Sequence, residues 1–287
     1  MQSPRSHSGK TITGLTSQRQ PSGSHSWTKR AERSKCSNVS GHSLIRESRC
    51  LQGRPVIVEL LPESARGKIR FNDGTVDCKG RFWAGEMDQE ASRIPSRDQS
   101  YPPRGRLWRF DPDGTVTQLL SGIYCSNGIG WSPDNKCMYY NDSVGRITRK
   151  FDFDPEAGTI SNGVDFADFR MPGDSLSPRT AKELPERFLG GEPDGLVMDT
   201  EGNIWIALWD KGCVLCFKPD GELIREVRAN GARFTTCPAW AGGGLDILFC
   251  TSAKVWGTGG DDGGKLWRFD VGKQWGVRGQ AKYKFAG

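Results

Sequence analysis

Histidine is nearly absent from this chain. The three histidines, His7, His25 and His42, all lie within the first 50 residues. The rest of the chain therefore contains no imidazole, which excludes a Ser–His catalytic pair and a His-ligated zinc site there. Acid–base chemistry in that portion must come from carboxylates, Lys, Tyr or metal-bound water.

Long apolar runs are also missing. No stretch suits a membrane span, and the N-terminus lacks the apolar core of a secretory signal, so we expect no membrane partner and a cytoplasmic location. The nine cysteines are odd in number and irregular in spacing, which does not indicate a disulfide framework. Cys213 and Cys216 form a lone CxxC in a strand-like run, where positions three apart face opposite sides. They are expected to be buried free thiols rather than a metal or redox site.

The formal charge of +6 is concentrated near the N-terminus. Residues 1–50 contain nine Lys or Arg, two Glu and twelve Ser, whereas the rest contains 31 basic and 32 acidic residues. Such a leader fits a mitochondrial presequence, a disordered tail or non-native sequence from a wrong gene start. Its lack of hydrophobic periodicity favours disorder. The near-neutral body offers no basic surface, so nucleic acid is not an expected partner.

From about Val56 onward, short apolar runs alternate with Gly, Pro, Asn and Asp turns. No window of useful length shows the i, i+3, i+4 spacing of an amphipathic helix. The pattern predicts an all-β domain over residues 56–287, preceded by the leader at 1–55. The predicted strands are 56–61, 82–87, 106–110, 115–120, 137–141, 147–153, 204–208, 214–217, 223–227, 247–251 and 265–269.

Internal repetition favours a β-propeller over a sandwich or a barrel. The sequence Leu107-Trp-Arg-Phe-Asp recurs at Leu266, and Pro-containing hairpin turns recur at Asp111, Asp154 and Lys218. The first two of these turns begin 43 residues apart, close to the roughly 40–45 residues of a four-stranded propeller blade.

Three distant fragments combine Asn or Asp with Gly just before a strand-like run. They are Arg70-Phe-Asn-Asp-Gly74, Ser126-Asn-Gly128 continuing to Asp134, and Glu192-Pro-Asp-Gly195. Taken singly, each is an ordinary turn. Together they predict polar residues that tight turns hold at the starts of strands, at one end of each sheet. When several sheets are arranged in a ring, such residues can direct their oxygen atoms at one hard divalent cation.

These fragments, with Gly80-Arg-Phe-Trp-Ala-Gly85, Gly202-Asn-Ile-Trp205 and the region from Cys237-Pro238 to Ala253, resemble one known family. It is the senescence marker protein/gluconolactonase/luciferin-regenerating-enzyme family, which includes regucalcin and sugar lactonases. The resemblance covers roughly residues 66–287. It implies a six-bladed propeller with one divalent cation (Ca, Zn, Mn or Mg) at the channel mouth, and hydrolysis of a small sugar-type lactone.

The resemblance also implies roles for individual residues. Asn127 and Asp194 match two metal ligands, and Asp194 also matches the proposed general base. Arg70 and Asn72 match residues that contact oxygens of the substrate, and Glu90 matches a further substrate-contacting Glu. These roles agree with the chemistry, because a lactone carbonyl needs polarisation and an activated water.

The sequence departs from the family pattern at its start. Family members carry a metal-ligand Glu in a Gly-Glu-Gly/Ser-Pro-x-Trp turn that opens the first blade, and residues 1–65 contain no such turn. The sequence therefore predicts an incomplete or missing first blade. Three functions stay open: a metal-dependent lactonase, an inactive truncated propeller that at most binds a cation, and a distant ester hydrolase of related type.

Overall fold

A computed structural model of the chain describes residues 60–61, 63–91, 101–174, 181–255 and 258–287, and the backbone at 11–13, 50–51 and 54–55. Two compact units are found, one formed by Met1–Ser17 with Gly67–Gly287 and the other by Gln18–Arg66. In the second unit, β2 (Cys50–Leu51) and β3 (Arg54–Pro55) pair antiparallel, and a short 3-10 helix spans Glu63–Ala65. None of the helices in the described ranges has the length and apolar character needed to cross a bilayer.

Four sheets form the blades of the first unit, and successive strands within each blade pair antiparallel. Blade 1 contains β4 (Ile69–Val76), β5 (Phe82–Asp88), β6 (Gly105–Phe110) and β7 (Val116–Ile123). Blade 2 contains β8 (Ser126–Trp131), β9 (Cys137–Asp142), β10 (Ile147–Asp154) and β11 (Thr159–Asp168). Blade 3 contains β12 (Glu192–Met198), β13 (Ile204–Trp209), β14 (Cys213–Phe217) and β15 (Leu223–Arg228). Blade 4 contains β16 (Phe234–Ala241), β17 (Ile247–Ala253) and β18 (Leu266–Phe269), and a short helix α1 (Val271–Trp275) follows.

The core is divided into apolar clusters that join successive blades. One cluster combines side chains of blades 1 and 2, where the Trp83 ring packs edge-on against Trp131 and Phe153 with centroids 5.4 and 5.9 Å apart. Two further clusters join blade 2 to blade 3 and blade 3 to blade 4. Buried aromatic pairs of this kind add to the energy of area burial, which is how neighbouring sheets are held face to face.

Blades 1 and 3 share one hydrogen bond between Trp and Asp at the turn that follows the inner strand. Asp77 accepts a hydrogen bond from Trp83 Nε1 at 2.9 Å, and Asp199 accepts the equivalent bond from Trp205 at 3.0 Å. All four side chains are buried. The turns also contain Gly80 and Gly202, whose φ values of 76° and 84° lie in the left-handed region that glycine enters without strain.

The C-terminal segment runs across these same turns. Gln280 N donates to Met198 O at 3.0 Å, Tyr283 Oη donates to Asn135 Oδ1 at 3.2 Å, and Ala286 N donates to Gly80 O at 3.0 Å. The segment therefore ties blades 3, 2 and 1 together at the end of the sheets where the inner strands finish. The candidate site lies at the opposite end of the sheets, where the inner strands begin.

The all-β prediction is confirmed, and most predicted strands match observed ones within one to three residues. The Pro-containing turns at Asp111, Asp154 and Lys218 are hairpins, closed by backbone bonds from Gly114, Gly158 and Gly221. Cys213 and Cys216 are free, fully buried thiols that belong to different apolar clusters on opposite faces of β14, as predicted.

Other predictions are corrected or stay open. The Asn/Asp–Gly fragments were predicted as turns, but Arg70–Gly74, Ser126–Trp131 and Glu192–Gly195 lie within inner strands. Strand β1 (Thr11–Thr13), which pairs in parallel with β15, was not predicted. The predicted strand at 56–61 falls mostly outside the described residues. Three predictions stay open: the count of six blades, the incomplete or missing blade expected before β4, and the domain boundary at residue 55.

Candidate active site

Each of the four inner strands in the described blades is interrupted by a bulge near its start. Two residues fall out of register with the neighbouring strand in each case: Asn72-Asp73 in β4, Asn127-Gly128 in β8, Asp194-Gly195 in β12 and Thr236-Cys237 in β16. A bulge re-aims side chains that would otherwise alternate across the sheet, and bulges are frequent next to active sites. The repeated bulge brings three predicted site residues, Asn72, Asn127 and Asp194, to equivalent positions in successive blades.

The bulges of blades 2 and 3 touch each other. A β-carbon placed on Gly128 would lie 2.8 Å from the carbonyl oxygen of Asp194, so only glycine permits this approach. The Asn127 side chain lies close enough to the Asp194 carboxylate to oppose the increase in its pKa, and Asn127 Nδ2 donates to Ser143 Oγ at 2.9 Å. The structure therefore brings the two predicted metal ligands together.

Blade 2 also holds the backbone around Asp194 in place. Asn141 Nδ2 donates to the carbonyl oxygen of Asp194 at 2.6 Å, and Thr148 Oγ1 donates to Asn141 Oδ1 at 2.7 Å. Ser143 Oγ donates to the carbonyl oxygen of Pro193 at 2.7 Å. The bulge that presents Asp194 is thus fixed by buried hydrogen bonds from the neighbouring blade, which are costly to break in a low-dielectric interior.

The electrostatics of Asp194 set it apart from an ordinary carboxylate. Burial raises its pKa to about 8, and the nearby Asp73 and Glu192 carboxylates act in the same direction. Hydrogen bonds from Asn127 and the Gly195 amide oppose the increase. A carboxyl group whose pKa lies near neutrality is suited to exchange protons in that pH range, as a general base must.

Arg70 and Asn72 form a second, linked pair on β4. Arg70 Nη1 donates to Asn72 Oδ1 at 2.9 Å, and Asn72 Nδ2 donates to the carbonyl oxygen of Ser126 at 2.9 Å. Asn72 therefore connects Arg70 to the start of β8, directly beside Asn127. Arg70 is exposed, so its guanidinium is accessible to a small molecule at this end of the sheets.

Glu90 lies farther along the same end of blade 1. It follows β5, and Asp88 at the end of β5 pairs with Ile69 at the start of β4. Its side chain contacts Arg104 and Tyr101 and makes no hydrogen bond to Arg70, Asn72, Asn127 or Asp194 within the described residues. The structure thus joins four of the five predicted residues into two adjacent pairs and places the fifth at the margin.

Several residues of the site were missed by sequence reasoning. Asp73 is the next residue after Asn72 in the bulge, and burial raises its pKa despite a hydrogen bond from the Gly74 amide and the nearby Lys282. Asn141 and Ser143 were also missed as supports of the Asp194 bulge. Asp73 follows a predicted site residue directly, but its proximity to Asp194 depends on how blades 1 and 3 pack.

The donor set fits a hard divalent cation, although no group of three or more His, Cys, Asp or Glu side chains in the described part of the chain has the arrangement of a metal site. Asn127 and Asp194 supply one amide and one carboxylate oxygen, which are ligands that such cations prefer. The Asp73 and Glu192 carboxylates act electrostatically on Asp194. A bound cation would stabilise the charged forms of these neighbouring carboxylates.

The fold and this cluster define a β-propeller with an oxygen-rich site where its inner strands begin. Residues 38–254 match the SMP-30/gluconolactonase/LRE-like region, and the chain belongs to this family. The resemblance inferred from the motifs is therefore confirmed.

Relatives in both archaea and bacteria show the same relationship. Pentonolactonase XacC of Haloferax volcanii is 32% identical over 221 residues, which covers 73% of this chain and 66% of the relative. An uncharacterized protein of Sulfolobus acidocaldarius is 36% identical over 192 residues, covering 67% of this chain and 60% of the relative. The chain thus spans somewhat less than two thirds of these relatives. The solved structure of regucalcin, a calcium-binding protein from Agrobacterium tumefaciens, superposes with a TM-score of 0.63 at 26% identity, over 82% of this chain and 71% of that one.

Proposed function

We propose that this protein is a divalent-cation-dependent hydrolase that opens a small, sugar-type lactone. The observation that carries the proposal is the contact between the bulges of β8 and β12, which pairs Asn127 with a carboxyl group whose pKa is about 8. The family supports the same chemistry, since a relative is named a pentonolactonase. In a region without histidine, a buried carboxylate is the group available to take a proton from the attacking water.

Each side chain of the site has a separate role in the hydrolysis. Asp194 accepts a proton from the attacking water as the water oxygen bonds to the carbonyl carbon of the lactone. Arg70 donates hydrogen bonds to the oxyanion that develops on the carbonyl oxygen. The ring C–O bond then breaks, and the proton passes to the departing ring oxygen to give the hydroxy acid. Asn72 keeps Arg70 in place, and Glu90 accepts a hydrogen bond from a substrate hydroxyl.

Asn127 and Asp194 would hold the cation. When bound, it supplies Lewis-acid polarisation and lowers the pKa of water. The identity of the cation among Ca, Zn, Mn and Mg is not fixed by these two oxygen ligands. Affinity for hard cations increases with the number and charge of ligands, so two protein ligands predict weak binding. We further propose that the complete fold has six blades and that the protein acts in the cytoplasm, with the mitochondrion as the alternative.

The decisive experiment compares two aspartates in the same local sequence. Asp194 and Asp220 both lie in Pro-Asp-Gly, but Asp220 is in the exposed hairpin turn between β14 and β15. Calorimetric titration with each cation and a lactone hydrolysis assay are run on Asp194→Asn, Asp220→Asn and the unmodified chain. Binding and turnover should be lost in Asp194→Asn and kept in Asp220→Asn.

Two outcomes would count against the proposal. Equal cation affinity in Asp194→Asn and the unmodified chain would remove Asp194 from the site. Cation binding without hydrolysis of any sugar lactone would instead favour the alternative function, an inactive propeller that at most binds a cation.

A further inference from the structure

Asp88 is the buried centre of a partly exposed polar cluster at the edge of the candidate site. Its side chain is fully buried, and Arg104 binds it through two nitrogens, with Nε 2.6 Å from Oδ2 and Nη2 2.8 Å from Oδ1. Tyr101 Oη donates to the same carboxylate at 2.9 Å, and the Glu90 amide donates to Oδ1 at 3.0 Å. A buried carboxylate with this many donors is a rigid anchor.

The cluster extends from Asp88 to the predicted substrate residue Glu90. Arg104 Nη2 also lies 2.6 Å from Glu90 Oε2, so one guanidinium bridges two carboxylates. Tyr101 Oη lies 3.4 Å from the same Oε2 atom. Both contacts involve one oxygen of Glu90, and Oε1 makes no hydrogen bond to any residue that the structure describes. The Glu90 side chain is 47% exposed, so it is accessible while one end is held.

This cluster is connected directly to the pair formed by Arg70 and Asn72. Met87, which precedes Asp88, pairs with Arg70 across the first two strands of blade 1. Met87 also bridges to Cys125, whose sulfur lies 3.8 Å from Asn72 Nδ2. The anchor of Glu90 is therefore one strand position away from the residues proposed to contact the substrate.

We propose that Arg104 is a positioning residue, which uses its ion pair with buried Asp88 to hold the Glu90 carboxylate ready for a hydroxyl group of the lactone. The inference rests on the proposed function. A Glu on an exposed turn has many rotamers, and ordering it on binding reduces affinity. A Glu that Arg104 has already ordered avoids that cost. The substrate class selected in this way is a lactone with a free hydroxyl within reach of Oε1.

The neighbouring rung of blade 1 contains a matched ion pair that serves as the control. Arg106 binds the buried Glu86 through two nitrogens at 2.9 Å each, and Trp108 Nε1 donates to the same carboxylate. In the described structure Arg106 bridges to no second carboxylate. Loss of Arg106 and loss of Arg104 should therefore disturb blade 1 alike, and only the second should release Glu90.

The test is a double-mutant cycle between Arg104 and Glu90. Arg104→Met, Glu90→Ala and the double variant are assayed on D-gluconolactone and a pentonolactone, with Arg106→Met as control and melting midpoints for all. Ordering one side chain predicts that Arg104→Met raises KM roughly 2- to 12-fold with kcat nearly unchanged. It should add nothing in the Glu90→Ala background. Arg106→Met should lower the melting midpoint as much and leave KM unchanged.

Arg104→Lys covers the case in which Arg104→Met does not fold. Lysine keeps the charge beside Asp88 but cannot reproduce the fork that bridges two carboxylates, so the same increase in KM is expected. Additive effects of the Arg104 and Glu90 variants, or an equal KM increase in Arg106→Met, would overturn the assignment.

A failure of the proposed function can be distinguished from a failure of this inference. If the unmodified chain hydrolyses neither lactone, the proposed function fails. The same cycle is then measured by calorimetric binding of D-gluconate. Coupling between Arg104 and Glu90 in that binding would still support the positioning role, and absent binding or absent coupling would overturn it.

Discussion

Gly128→Ala tests whether the bulges of β8 and β12 must touch for the site to form. A β-carbon at this position would lie 2.4 Å from the backbone nitrogen of Leu196 and 2.8 Å from the carbonyl oxygen of Asp194. Ordinary contacts begin near 3.4 Å, so the β12 backbone would have to move by roughly 1 Å. That backbone is held by hydrogen bonds from Asn141 and Ser143, so it cannot yield freely.

Gly130→Ala is the matched control, because it adds the same methyl group two residues along the same strand. Its β-carbon would lie 2.6 Å from Leu196 Cδ1, the end of a side chain that can rotate away. Inserting a methyl group into a rigid contact costs about 1–3 kcal/mol, whereas a contact that can repack costs less. We therefore expect Gly128→Ala to lower the free energy of unfolding by about 1–3 kcal/mol and Gly130→Ala to lower it by less than about 1 kcal/mol.

Urea unfolding followed by tryptophan fluorescence measures both costs, and cation titration by calorimetry shows whether Asp194 has moved. Gly128→Ala should weaken cation binding as well as stability, since the displaced segment includes Asp194. Gly130→Ala should leave binding unchanged. Equal destabilisation by the two substitutions, or unaltered cation affinity in Gly128→Ala, would show that the contact between the bulges does not define the site.

Three further predictions concern charge and burial. Folding raises the pKa of Asp194 from an ordinary value near 3.8 to about 8. Without added metal, the free energy of unfolding should therefore decrease as pH rises from about 4 through about 8. Urea unfolding across this pH range should show a smaller decrease in Asp194→Asn. Asp77→Ala should destabilise by about 3–5 kcal/mol because it leaves buried Arg81 without its ion-pair partner, and thermal unfolding should show no comparable loss in the exposed control Asp113→Ala. Burial raises the pKa of Cys213 to about 12 and leaves no exposed surface, so mass spectrometry should detect alkylation of this thiol only after the protein unfolds.

Apart from β11 in blade 2, which was missed, the strands outside the inner position could be predicted from the sequence, whereas the inner strands could not. Strands such as β10 and β13 show continuous or alternating apolar residues between clear turn signals. The inner strands β4, β8 and β12 contain Asn, Asp and Gly at a bulge, and those residues are depleted in strands and typical of turns. The bulge is stable only because the neighbouring blade supplies hydrogen bonds and close packing, so the local sequence predicts a turn.

The candidate site was predictable as a list of residues but not as an arrangement. Motif matching identified Arg70, Asn72, Asn127 and Asp194, and the structure joins them in two pairs. It could not indicate that Asp73 acts electrostatically on Asp194. Such proximity depends on the packing of separate sheets, which no local pattern encodes.

The tripeptide Pro-Asp-Gly separates what the sequence determined from what the tertiary structure decided. It occurs at Asp113, Asp194 and Asp220, and the sequence alone fixes a preference for a tight backbone change at each. At Asp113 and Asp220 the tripeptide forms an exposed hairpin turn, where backbone hydrogen bonds from Thr115 and Glu222 lower the pKa of the carboxyl group. At Asp194 it forms a bulge between two blades, where burial raises the pKa to about 8. The same three residues therefore give a surface turn or a candidate catalytic base, because desolvation and neighbouring charges are properties of the packed fold.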